Sequence, residues 1–338
     1  MLTFKTTIIG PYPRVSSEKG ALLRVELNKL IAHLAKSDII YHSDYDTEKI
    51  RKLKLGLTEE IVKELSSFVD LPNHGLVDVY DELTWPLENI DGVEFTGIKK
   101  IFHTNTHYRG ILVNGEIARK KPIVNNLYFE ASKFNPNVKL ELPGPYTLAL
   151  HSVISKNSPY RNVEELARAY AFLYRQELGA LPMIPFVQFN EPSLVAFERK
   201  CPKMNSVPEI YAEMLKGLKV QTAVWTFYGT YSQATLDVLL AIPVDFIGFD
   251  FVWNDNLESL LKKISFDKGI GFGILDSGDR GSIFVEDAAK VARRLNGLKD
   301  YIDFERALIA PNATLEHLPR DYARRKLEVL AQLKGELK

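Results

Sequence analysis

The sequence contains a single cysteine, Cys201, among 338 residues. One thiol cannot form an internal disulfide or a cysteine-rich metal site, which excludes disulfide-stabilised folds and zinc modules built on cysteine. No run of about 18 apolar residues occurs, so no membrane-spanning helix is predicted. The first residues, MLTFKTTIIG, lack the pattern of a signal peptide. These absences predict a cytoplasmic protein that does not use a membrane.

An excess of charge of either sign is absent too. The 43 basic residues are balanced by 43 acidic ones, which argues against a nucleic-acid-binding surface that depends on bulk positive charge. The sequence also lacks a Walker-type glycine loop, a GxGxxG turn and a GxSxG elbow, so the common nucleotide and serine-hydrolase sites are excluded. Without a Gly/Ser-rich linker, residues 1–338 are predicted to form one domain.

What is present is an alternation of short apolar runs and amphipathic helical segments. This alternation is typical of parallel strands joined by helices. Seven or eight such units predict an α/β fold, a single (β/α)8 barrel of the TIM type, with a doubly wound open sheet as the alternative. Region 38–123 is acidic and aromatic in places, and we predict an irregular insertion, a long loop system over the barrel mouth.

The polar run KIFHTNTHY, residues 100–108, is the strongest candidate for a binding segment. Lys100 offers a flexible positive charge for a carboxylate or phosphate. Asn105 and His107 offer donors and acceptors with defined geometry. The run therefore predicts a pocket for a polar, anionic small molecule; the alternative is an exposed hairpin whose polar side chains are already satisfied.

Other polar residues follow the predicted strands. Arg14 comes after the first strand and has a planar group suited to carboxylates. Asn190 and Glu191 lie in the run QFNEP, at the end of a predicted strand, and Asp250 and Asp276 lie at the ends of two later strands. The carboxylates Glu191, Asp250 and Asp276 could bind a hard cation or act as general acid and base. The alternative is that these carboxylates cap turns and helices.

Several of these motifs, in order, resemble cobalamin-independent methionine synthase. They are GPYPRV, RVELNK, KIFHTNTHY, LPGPYTLAL, QFNEPSL, TFYG, GFDFVWN, GILDSGDR and APNATLEHLPRD. The resemblance implies a barrel related to one half of that double-barrel enzyme. In the family, the C-terminal half holds zinc and homocysteine, whereas the N-terminal half lacks zinc and helps to bind the methylfolate polyglutamate. KIFHTNTHY and LEHLP are similar to the N-terminal half.

The resemblance also implies that this chain binds no metal. Trp225 lies where the catalytic half has its zinc histidine, and Phe227 and Ala313 lie where it has zinc cysteines. Asp250 matches an acidic ligand of that site, but one carboxylate cannot complete a tetrahedral zinc site. Asn190 replaces the aspartate of the family's DEP motif, and Pro11 replaces a serine.

For binding, the resemblance matches Lys100 to a lysine that contacts the polyglutamate tail. It matches Arg24 and Lys29 to a basic tail-binding segment. It therefore implies a barrel that binds a methyl-pterin or folate-like donor, carries no cofactor, is not active alone, and assists a separate zinc-bearing C-terminal-type homologue. The alternatives are an independent zinc-free enzyme of the uroporphyrinogen decarboxylase and methyltransferase superfamily, or a non-catalytic scaffold subunit.

Overall fold

A computed structural model describes residues 4–13, 48–77, 79–104, 106–124, 126–181, 184–197, 204–262, 267–278 and 283–337. Arg14, Arg24, Lys29 and Asn105, which were predicted to bind ligand, lie outside these residues. Within the described part, no helix is long and apolar enough to cross a membrane.

Strands and helices alternate along most of the described chain. The strands are β1 Lys5–Thr6, β2 Ile90–Lys99, β3 Tyr108–Arg119, β4 Leu140–Pro143, β5 Ser152–Ile154, β6 Phe186–Asn190, β7 Gln221–Trp225, β8 Phe246–Asp250, β9 Gly269–Leu275 and β10 Ala307–Pro311. The helices are α1 Glu48–Ser66, α2 Asn126–Phe134, α3 Pro145–His151, α4 Val163–Ala180, α5 Ser193–Ala196, α6 Val207–Leu215, α7 Gln233–Ala241, α8 Leu257–Leu261, α9 Ala288–Asn296 and α10 Arg320–Glu336.

The main sheet has seven strands in the order β1-β10-β9-β8-β7-β6-β4, and every neighbouring pair is parallel. A helix follows each of the strands from β6 to β10, as parallel pairing requires a crossover. The fold is therefore of the α/β class. Because all strands run the same way, their carboxyl ends meet at one edge, which we call the mouth.

The sheet curls, since its two edges approach each other: the backbone N–H of Gly10, just after β1, donates to Oε2 of Glu141 on β4 at 2.8 Å. Its two faces bury separate apolar clusters. The inner cluster consists of Ile9, Leu71, Phe186, Ala223, Trp225, Phe227, Leu308, Ala310 and Ala313. The next residues along the same strands, such as Val187 and Val224, belong to the larger outer cluster, which includes helical residues. This alternation follows from the two-residue period of a strand whose faces are both buried.

The two edge strands of the sheet approach the same segment. Thr7 forms a parallel bridge with Leu71, and the N–H of Lys139 donates to the carbonyl oxygen of Pro72 at 2.8 Å. The segment beginning at Leu71 therefore lies between the start of the chain and the strand β4.

The described part of region 38–123 is more regular than the sequence suggests. It contains the helix α1 and an antiparallel hairpin of β2 and β3, extended by β5 into a second, three-stranded sheet. The pairing of β2 with β3 is interrupted next to Gly92 and at Gly97. These irregularities break the alternating pattern by which strands are identified in a sequence.

Candidate functional site

The loop between β2 and β3, described over residues 100–104 and 106–107, lies over the mouth. Phe102 is buried there, and its ring centroid lies 5.2 Å from that of Tyr228 and 5.7 Å from that of Phe197. Those two residues follow β7 and β6. The Phe102 ring also contacts Tyr108 and His151, at 5.8 and 5.5 Å. One apolar side chain therefore anchors the polar run against the loops of the main sheet.

A second contact fixes the far side of this loop. The Thr106 hydroxyl lies 3.2 Å from Nε2 of His317, which follows β10. Lys100 and His107 remain exposed to solvent. The loop thus spans the mouth with a cation available at its surface, while Asn105 lies outside the described residues.

Glu82 places a carboxyl group at the mouth beside β1. Its Oε1 accepts a hydrogen bond from the Tyr108 hydroxyl at 3.1 Å. Its Oε2 is buried and has no hydrogen-bond partner among the described residues. A Cβ added to Gly10 would lie 2.7 Å from that oxygen and 2.8 Å from Cβ of Thr314. Gly10, whose φ is +64°, therefore gives the carboxyl room.

The surroundings of Glu82 favour its neutral form. Burial raises its pKa to about 8, and the negative charges of Glu316, Glu141 and Asp81 add to this, whereas the hydrogen bond from Tyr108 opposes it. A buried carboxyl with a free oxygen and a raised pKa is a common feature of ligand sites. Glu82 was not identified from the sequence.

Glu141 is the centre of a buried polar network inside the curled sheet. Its Oε2 accepts from the backbone N–H of Gly10 at 2.8 Å and from the Asn190 amide at 3.3 Å. Its Oε1 accepts from the Asn73 amide at 2.9 Å and lies 3.0 Å from Nζ of Lys139. The network joins the first strand to β4 and β6, and Asn190 is its partly exposed end.

Lys139 is the inner end of the same network and is fully buried. Its ammonium group donates to the side-chain oxygen of Gln188 at 2.6 Å and to the carbonyl oxygen of Ile8. Burial lowers the pKa of Lys139, and the attraction of Glu141 opposes that shift. Three acceptors surround the cation, as a buried ammonium requires.

The Glu191 carboxylate is hydrogen-bonded to other residues of the fold. Its carboxylate accepts from the backbone N–H groups of Tyr146 and Thr147 at 3.1 and 2.8 Å, and from the hydroxyls of Thr147 and Tyr211 at 2.6 and 2.9 Å. Burial raises its pKa to about 7, and these hydrogen bonds oppose the rise. Glu191 therefore caps the first turn of α3, a helix about 45 residues earlier in the chain.

The carboxylates of Asp250 and Asp276 also accept hydrogen bonds from backbone N–H groups. Asp250 accepts from the N–H groups of Val252 and Trp253 at 3.0 and 3.2 Å, and from the Asn312 amide at 3.2 Å. Asp276 accepts from the N–H two residues later at 2.9 Å. In the part of the chain that the structure describes, no three His, Cys, Asp or Glu side chains form a metal-binding group. The acidic triad considered from the sequence is therefore not assembled as a cation site.

Trp225, Phe227 and Ala313, which the resemblance drawn from the motifs places at zinc-ligand positions of the catalytic half, all lie in the inner apolar cluster. The indole ring of Trp225 lies over two glycines of neighbouring strands. A Cβ at Gly248 would lie 2.1 Å from Cδ2 of Trp225, and one at Gly271 would lie 2.5 Å from Cζ3. These positions fill the interior of the sheet and do not fit a zinc ion.

Comparison with known proteins identifies the family. The model of the cobalamin-independent synthase N-terminal domain matches residues 91–303, well over half of the chain. The chain belongs to this family. The family's relatives include curated methionine synthases that are similar to this chain in length. The one from Saccharolobus solfataricus is 28% identical over 327 residues, which cover 95% of this chain and 91% of the relative. The one from Sulfurisphaera tokodaii is 27% identical, covering 98% of this chain and 90% of the relative.

Solved structures support the same fold. A B12-independent methionine synthase from Shewanella sp. W3-18-1, in complex with selenomethionine, superposes with a TM-score of 0.73 at 20% identity, covering 99% of this chain and 97% of that one. A putative vitamin-B12 independent methionine synthase from Listeria monocytogenes gives a TM-score of 0.72 at 16% identity, covering 100% and 99%. The match of the N-terminal-domain model to residues 91–303 confirms the family resemblance drawn from the motifs.

Proposed function

We propose that this chain binds a methylated pterin of the 5-methyltetrahydropteroylglutamate class and assists a separate zinc-bearing chain that forms methionine from homocysteine. The match of residues 91–303 to the N-terminal domain supports this most directly. The zinc would belong to the partner, because the inner cluster of this chain offers Trp225, Phe227 and Ala313 where ligands are needed.

Within this proposal, the mouth is the pterin site. A pterin ring has an edge of amine and amide N–H groups, and the free Oε2 of Glu82 is an acceptor for such donors. The glutamate tail of the donor is anionic, and Lys100 is an exposed cation on the loop that spans the mouth. We further propose that the segment beginning at Leu71 closes the sheet into a complete (β/α)8 barrel.

An independent enzyme built on Glu191, Asp250 and Asp276 is less well supported. Glu191 already accepts four hydrogen bonds from its own fold. A carboxylate saturated in this way has little capacity left for a substrate or a proton in transit.

The first test is calorimetric titration with methyltetrahydropteroyl monoglutamate and triglutamate. We expect the triglutamate to bind more tightly, and Lys100→Ala to weaken it by about twofold to fivefold, the range of an exposed ion pair. The monoglutamate should be little affected. Lys290→Ala, which removes an exposed lysine from α9, is the control. If neither ligand gave a binding heat, the pterin site would be excluded and the alternative of a non-catalytic scaffold subunit would be favoured.

The partner is tested by measuring methionine formation with this chain alone and with a zinc-bearing C-terminal-type homologue. We expect activity to rise only when both chains are present. If the purified chain bound zinc in a one-to-one ratio and formed methionine unaided, the proposal would be wrong.

A pH series tests the role of Glu82. Because its pKa is raised to about 8 in the free protein, a ligand that binds the ionised carboxylate must displace a proton below that pH. Affinity should therefore rise as pH increases from 6 to 8, by up to about tenfold per unit, and level off above 8. Titrations at several pH values should show this slope, and Glu82→Gln should flatten it.

The matched control removes a neighbouring charge instead. Glu316→Gln should lower the pKa of Glu82 and move the plateau to lower pH, because Glu316 is the largest electrostatic contribution to the shift. A slope unchanged in Glu82→Gln would assign the titration to another group.

A further inference from the structure

The strand β2 is an exposed edge of the three-stranded sheet. Among the described residues, it pairs only with β3. Its residues from 94 to 99 are exposed, including Ile98 at 63% and Phe95 at 36%. Tyr80, which is 62% exposed, sandwiches the Arg109 guanidinium with the Phe95 ring, at 4.8 and 4.0 Å. An exposed edge strand of this kind offers its backbone N–H and C=O groups to another strand.

The bulge at Gly97 determines which side chains of this edge share a face. Glu94 and Lys99 lie opposite Leu112 and Tyr108, which are four residues apart on β3. Because side chains on a strand alternate, Glu94 and Lys99 point to the same face of the sheet.

By the same reasoning, Phe95 and Ile98 share the other face. They lie opposite Ile111 and Arg109, which are two residues apart. In a regular strand, side chains three residues apart point to opposite faces of the sheet. The extra residue Gly97 therefore brings Phe95 and Ile98 to the same face.

The edge is therefore complementary to itself. If two copies of β2 paired antiparallel about a twofold axis between Thr96 and Gly97, Glu94 of each copy would face Lys99 of the other. Phe95 of each copy would face Ile98. Cross-strand pairs of opposite charge and of aromatic with β-branched residues are the stabilising combinations in antiparallel sheets.

The two charged residues are suited to this role. Glu94 is exposed, and Asn114 on the neighbouring strand β3 donates to its Oε1 at 2.5 Å. Lys99 is exposed and forms no ion pair within the described part of the chain. We propose that this chain forms a symmetric homodimer in which the β2 edges of two copies pair antiparallel, with two Glu94–Lys99 ion pairs across the axis.

Charge reversal with analytical ultracentrifugation tests the dimer. The wild-type chain should shift from monomer to dimer with increasing concentration. Glu94→Lys and Lys99→Glu should each weaken the dimer by about tenfold, because either change opposes like charges twice across the axis. The decisive sample is an equimolar mixture of the two variants. It should dimerise again, since each copy then offers the charge that the other lacks.

Glu130→Lys is the control, because it reverses a partly exposed charge on α2, paired there with Lys133 and away from the edge. Circular dichroism of each variant checks folding. A wild-type chain that stays monomeric at high concentration would overturn the proposal. So would a mixture of the variants that dimerises no better than either variant alone.

Discussion

Replacing Trp225 with alanine is expected to lower the free energy of unfolding by about 3–5 kcal/mol, as for other buried aromatic residues cut back to alanine. The indole is fully buried inside the curled sheet, where it covers Gly248 and Gly271. Those glycines have no side chains that could refill the space, so the cavity should persist and its cost should lie in the upper part of this range.

Urea denaturation measures this loss, with Phe172→Ala as the control, because Phe172 is 58% exposed on α4. A second variant identifies the mechanism. Gly248→Ala should destabilise the wild-type chain, because its Cβ would collide with the indole, but it should be tolerated in the Trp225→Ala background. A loss below about 1 kcal/mol, the level of an ordinary surface change, would mean that the interior is not packed around Trp225.

The sequence allowed the main sheet to be predicted but not the hairpin. In the sequence, the apolar runs near β6, β7, β8, β9 and β10 each end in polar or turn residues. In the structure, each of these runs contains a strand of the main sheet. The hairpin was missed because Gly92 and Gly97 interrupt its alternation. A strand is identified in a sequence by the alternation of apolar and polar residues, and a bulge interrupts that alternation.

The candidate site was harder to predict because its contacts are distant in sequence. Glu141 bonds to Asn73 and Gly10, which are 68 and 131 residues away. A signal was present, since Lys139 and Glu141 alternate with apolar residues in a run that is otherwise apolar. Polar residues at inward positions of such a strand indicate either an internal network or a site. Glu82 follows no strand, and its position at the mouth is shown by its hydrogen bond with Tyr108, which is 26 residues away.

Lys139→Met should cost about 3–5 kcal/mol of unfolding free energy, although methionine has a similar volume. Lys139 and Glu141 are 0% and 1% exposed, and 3.0 Å separates the ammonium from Oε1. Removing the cation leaves a carboxylate in an apolar interior with only neutral donors. The loss should be measured by urea denaturation at neutral pH. Lys63→Met is the matched control: its partner Glu59 is 2.6 Å away but both are exposed, so the change should cost less than about 1 kcal/mol.

A double variant separates the ion pair from packing. In Lys139→Met with Glu141→Gln, no buried charge is left without a partner, and the amide can still bond to its neighbours. The double variant should therefore lose less stability than the sum of the two single changes. Simple additivity would mean that the two charges do not depend on each other.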